Sequence, residues 1–130
     1  MKLFSKFKAF FDRASVRFWK EDEKRALLKL VHEVYNADSN FSDIEKEEFR
    51  KQLEDFSLEP NSVIFFNFEN AVNLLKEDDD KKKVTMEWLI EAVFCDGDYT
   101  GNEEEFVKRV LKAFELPDEF LEKNIKKYKS

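Results

Sequence analysis

Apolar residues return every three or four positions along most of this chain, and no stretch alternates apolar and polar side chains as a half-buried strand does. That spacing admits one secondary structure. In EDEKRALLKLVHEVYNA the stripe is Leu27, Leu30, Val31, Val34 and Ala37. In VTMEWLIEAVF it is Met86, Leu89, Ile90, Val93 and Phe94. Between them, Ile44, Phe49, Leu53 and Phe56 mark a helix running to about Phe56, with Pro60 as the break after it. Phe68, Ala71, Val72 and Leu75 mark a short helix. The charge run from Glu77 to Lys83 reads as a solvated connector. Farther on, Phe106, Val107, Val110, Leu111 and Phe114 form one more stripe, and Pro117 opens a last helix, PDEFLEKNIKKY. The expectation is an all-α bundle of six or seven helices in one domain. A chain of 130 residues buries roughly two thirds of its unfolded surface, enough for a core without staples.

Several chemistries are excluded by residue counts. The only glycines are Gly97 and Gly101, so neither a phosphate-cradling Walker loop nor a dinucleotide fingerprint can be written. One cysteine, Cys95, and one histidine, His32, cannot build a disulfide or a Cys/His zinc cluster, and a reducing cytoplasm suits that usage. His32 lies on the charged side of its stripe and is expected at the surface, while Cys95 is expected to pack as a small hydrophobe. With no base beside a nucleophile, no enzyme is expected.

The net charge of −6 is unevenly placed: residues 1–20 hold six basic residues against Asp12, a balance of +5, which leaves −11 for the rest. An acidic body disfavours nucleic acid as a partner and suits cations or basic surfaces. The opening segment, MKLFSKFKAFFDRASVRFWK, lacks the apolar run of a span or a secretory signal. It reads as a basic amphipathic helix over residues 1–22, ahead of a helical domain over residues 23–130. Lys2, Phe4, Lys6, Phe11, Arg13, Arg17 and Trp19 give it a surface for an anionic membrane or a protein partner, or it covers the domain's own core.

Two stretches resemble each other at an offset of 58 residues: Asp38-Ser-Asn40-Phe-Ser42-x-x-Glu45 and Asp96-Gly-Asp98-Tyr-Thr100-x-x-Glu103. Each follows one helical stripe and precedes another, so the pattern reads as a duplicated helix-turn-helix unit. Ser42 with Glu45, and Thr100 with Glu103, have capping-box spacing, and Phe41 or Tyr99 stands where a hydrophobic staple would. Asp38, Asn40, Glu45, Asp96, Asp98 and Glu103 also offer hard oxygen ligands suited to Ca2+ or Mg2+. A standard EF-hand fits poorly. Its first ligand position would fall on Asn36 or Phe94, and its turn glycine on Phe41 or Tyr99.

Ala37-Asp38 with Glu45, Cys95-Asp96-Gly97 with Glu103, and the tail FELPDEF give the chain a resemblance to the TerB-like family of tellurite-resistance and stress-associated proteins over about residues 24–122. Ser39 stands where that family often has Gly, and Cys95 where it often has Ala. The resemblance implies a non-enzymatic, cytoplasmic bacterial module whose acidic turns bind a divalent cation or a protein partner. The alternatives left open are a peripheral membrane adaptor built on the basic N-terminal helix and a degenerate EF-hand-like calcium binder.

Overall fold

The computed structural model describes residues 16–37, 42–94 and 101–129. Among them are seven α-helices and no strand: α1 (Glu21–Tyr35), α2 (Asp43–Asp55), α3 (Pro60–Ile64), α4 (Phe68–Leu75), α5 (Asp79–Val93), α6 (Gly101–Ala113) and α7 (Asp118–Lys129). This is the all-α bundle that the spacing of apolar residues predicts.

Helix α1 is the axis of the bundle, packing most extensively on α4, then on α5, and also on α2, α3 and α6. Neighbours on so many sides bury more than a stripe. Leu28 is as inaccessible as Leu27, Leu30, Val31 and Val34. Helix α5 is enclosed in the same way, with Met86, Trp88, Leu89, Ile90, Ala92 and Val93 all buried. The remaining helices keep one polar face, as surface helices do.

Helix ends follow side-chain chemistry. The Asp78 carboxylate accepts from the backbone N–H groups of Asp80 (2.9 Å) and Lys81 (3.1 Å), so α5 starts at Asp79. The charge run Glu77–Lys83 is therefore mostly the first turn of α5 and not a connector, because an N-cap aspartate satisfies the free amides that would otherwise leave the chain irregular. Pro60 opens the short helix α3 at its first position, where its missing N–H costs nothing, so it starts an element as well as marking a break. Asn67 caps α4 through the Asn70 N–H at 3.0 Å.

The element positions recur along the chain. Helices α1 and α5 have the same length and start 58 residues apart, as do α2 and α6, and α3 and α7 also start 58 apart. Ser57 (φ 56°) and Glu115 (φ 59°) both end their helices in the left-handed region. The N–H of the next residue then bonds back five residues in each case, Leu58 to the Leu53 carbonyl (2.9 Å) and Leu116 to the Leu111 carbonyl (3.1 Å). Both closures have the Schellman geometry that usually falls to glycine.

Two expectations about individual side chains do not hold. His32 is buried, with only 8% of its surface exposed, because α2 covers that side of α1 and sets the Phe49 ring 5.0 Å from the imidazole. Ile44, expected inward, is 45% exposed, because the turn of the helix that faces the core is occupied by Glu45.

Candidate functional site

The two acidic turns join α1 to α2 and α5 to α6. Asp38, Asn40, Asp96 and Asp98 lie outside the described residues, as do Phe41, Cys95, Tyr99 and Thr100.

On the first turn, Ser42 and Glu45 form a reciprocal capping box. The Glu45 N–H donates to the Ser42 hydroxyl at 3.2 Å, and the Ser42 N–H donates to Glu45 Oε1 at 2.9 Å. Glu45 is 1% exposed, so one of its oxygens is committed to the helix end in a dry setting. Glu103, in the first turn of α6, is 2% exposed. Glu45 therefore serves a helix end from inside the bundle, and Glu103 is buried in the first turn of α6, each next to the partial positive charge of a helix N-terminus. Among the described residues, no group of three or more His, Cys, Asp or Glu side chains is placed to hold a metal ion.

The turns are neighbours at their flanks. Asn36 and Ala37, the last residues before the first turn, and Asn102, just after the second, line one open groove of about 380 Å³. Its other walls come from Glu33 of α1 and from Glu105, Phe106 and Arg109 of α6. Packing of α1 on α6 brings these ends together.

Arg109 was not anticipated as part of a site, since Glu105 stands four residues before it and suggests an ordinary helical ion pair. Its guanidinium instead lies 4.7 Å from the Phe68 ring centroid, and Phe68 is set edge-on to Phe106 at 5.9 Å. Arg25 and Arg50 behave differently, each pairing with carboxylates on its own helix: Glu21 and Asp22 for Arg25, Glu47 and Glu54 for Arg50.

At the other end of α1, Glu23 accepts from Lys81 Nζ at 2.9 Å and from the Lys20 N–H at 2.9 Å. Burial pushes the Glu23 carboxyl up, but the Lys81 ammonium and the Lys20 amide outweigh it and hold the group below its ordinary value. Burial alone pushes the Glu87 carboxyl up against the opposing charge of Lys127. Burial also pushes His32 below its ordinary value, against the partial support of Glu33, so the imidazole is neutral near pH 7.

Of the expected N-terminal surface, Lys2, Phe4, Lys6, Phe11 and Arg13 lie outside the described residues. Arg17 is exposed, whereas Trp19 is half-buried against the core with the Lys81 ammonium 5.9 Å from its ring. Among the described residues, the exposed aromatic at this end is Phe18, at 84%. Among the described residues no helix is long and apolar enough to cross a membrane. In comparisons with family models, curated proteins and solved structures, the chain matches none.

Proposed function

We propose that this chain is a non-enzymatic TerB-like module, acting in the bacterial cytoplasm in a tellurite or general stress response, and that its two acidic turns together bind one divalent cation, Ca2+ or Mg2+. The observation that carries this reading is the groove shared by Asn36, Ala37 and Asn102, which sets the end of one turn beside the end of the other. The carboxylate and amide oxygens of Asp38, Asn40, Asp96 and Asp98 together suit a hard cation better than those of either turn alone. The recurrence of helix starts and of the Ser57 and Glu115 closures at an offset of 58 supports reading the chain as two copies of one helix-turn-helix unit. A protein partner would then meet the cation-bearing end. Glu45 and Glu103 belong to the helix caps in this account and not to the coordination sphere.

Calorimetric titration of the full chain with Ca2+, Mg2+ and Mn2+ tests this. The reading predicts one saturable ion per chain and its loss in the Asp96→Ala, Asp98→Ala double variant. No heat in the wild type, or unchanged binding in the variant, removes it. Trp88 is a poor reporter for such a titration, because it packs on Phe56 at the far end of α2 from the first turn.

A second reading, a peripheral membrane adaptor, rests on Phe18 standing exposed beside Arg17 at the end of the basic segment. A side chain pair of this kind inserts at an anionic headgroup layer. Co-sedimentation with phosphatidylserine vesicles tests it: the reading predicts binding that Phe18→Ser weakens, and equal partitioning of both proteins contradicts it.

A further inference from the structure

A second open groove, of about 730 Å³, lies between the first turn of α1 and the outer side of α4. Asn70, Asn73 and Leu74 fall at i, i+3 and i+4 of α4 and so share one face, which Phe66 and Glu77 extend at its two ends. Asp22 and Glu23 supply the α1 side, and no basic side chain is in the lining. Leu74 is 37% exposed and Phe66 only partly buried, so the groove offers apolar surface that the bundle leaves uncovered.

The described chain enters the bundle beside this groove. The Lys20 N–H donates to Glu23 Oε1 at 2.9 Å, so the backbone just before α1 touches a carboxylate of the lining. Between that point and Val16 there is only one turn, in which the Trp19 N–H donates to the Val16 carbonyl at 2.9 Å. Fifteen residues precede Val16, and a segment of that length reaches about 22 Å as a helix or about 50 Å extended, enough to lie along the groove either way. Its sequence, MKLFSKFKAFFDRAS, sets Leu3, Phe7 and Phe10 at helical spacing, with lysines between them.

We propose that residues 1–15 of this chain dock in the groove, with Leu3, Phe7 and Phe10 on Phe66 and Leu74 and the lysines toward Glu77, as an amphipathic peptide fills an apolar groove. Net charge favours this occupant, since residues 1–15 carry +3 and leave −9 for residues 16–130. Asp22 and Glu23 are already met by Arg25 and Lys81, each at 2.9 Å. The local attraction therefore falls on Glu77, which is exposed and takes no ion pair among the described residues. Apolar contact supplies the strength of docking, and charge its direction. The tether decides between the chain's own segment and that of a second copy, because a short linker holds its end at an effective concentration in the millimolar range. This proposal does not depend on a cation at the turns, and it opposes the membrane reading, in which the same segment faces lipid.

The test is paramagnetic NMR on the full chain carrying Cys95→Ala and Ser5→Cys, with a nitroxide attached at position 5. The expected result is loss of amide signal at Asn70, Asn73 and Leu74, with the signals of α7 kept. Leu74→Lys, at a position open to solvent, should restore the groove signals with helicity unchanged. Phe7→Ser combined with Phe10→Ser should restore them too, and it leaves the groove itself untouched. A mixture of nitroxide-bearing chain without isotope label and isotope-labelled chain without nitroxide should show no loss. Loss spread evenly over the bundle, or confined to another face, would overturn the proposal. So would loss in the mixed sample, which makes a second copy the occupant, or intact groove signals in a chain that binds phosphatidylserine vesicles, which makes lipid the partner of the segment.

Discussion

Glu23 and Lys81, 58 residues apart in the chain, meet at 2.9 Å where α1 and α5 begin. They occupy the same position in helices of the same length, the third residue of each, so the ion pair joins the two halves of the fold at matched points. Their side chains are 11% and 23% exposed, which shields the pair from much of the screening that makes surface ion pairs weak.

Replacing Lys81 by Met should therefore lower stability by about 1.5 to 3 kcal/mol at neutral pH, the range for a hydrogen bond to a charged group. The effect has a pH signature. Because the folded Glu23 carboxyl is held below its ordinary value, its contribution is present above the unfolded value and is lost as pH falls through the folded one. Urea melts of wild type and variant at neutral pH and in the acid range should show the difference between them shrinking on acidification.

Ser57 and Glu115 hold left-handed backbone with exposed side chains, a conformation in which an L-residue carries a steric penalty and glycine does not. Ser57→Gly and Glu115→Gly should each stabilise the protein by about 0.5 to 1 kcal/mol. The two substitutions share no partner and should add. Thermal unfolding of the single and double variants checks both statements.

These turns also show how much of the fold was readable in advance. The helical stripes place most of the helices because each needs only the spacing of its own apolar residues. Burial on the remaining faces depends on neighbours. His32 lies off the stripe of α1, and nothing local announces that α2 will bring Phe49 against it. Leu28 is enclosed for the same reason, since α1 runs through the middle of the bundle. The start of α5 was missed because an aspartate in a run of charges reads as solvated unless its role as a cap is recognised, as Asp78 shows. At the candidate site, Ser42 with Glu45 was legible from spacing as a cap. Arg109 was not, because its stacking on Phe68 depends on α4 packing beside α6 and competes with a local pairing that sequence favours.

Buried His32 gives a second pH dependence. Its folded-state value lies below the ordinary 6.5, so on acidification the unfolded chain takes up the proton first. Stability should fall as pH drops from about 6.5 toward the folded value, with a slope of at most about 1.4 kcal/mol per pH unit for one proton. His32→Gln should flatten this part of the stability curve, measured by urea unfolding across the mildly acidic range.

The capping box separates a structural carboxylate from a cation ligand. Ser42→Ala should cost about 1 kcal/mol through loss of an N-cap. Glu45→Gln keeps an oxygen for the Ser42 N–H and should change stability much less, while leaving cation affinity intact if Glu45 belongs to the cap alone. A combination of thermal melts and Mg2+ calorimetry on the two variants reads both properties.

The central claim is that the two acidic turns hold one ion between them, and a double-mutant cycle on Asp38→Asn and Asp96→Asn tests it most directly. Mg2+ or Ca2+ affinity is measured for the wild type, both single variants and the double variant. A shared ion predicts that one ion binds per chain, that either single substitution weakens it by about tenfold or more, and that the double variant loses less than the sum of the two. Two independent ions, each sensitive only to its own aspartate, or no binding in the wild type, would contradict the account.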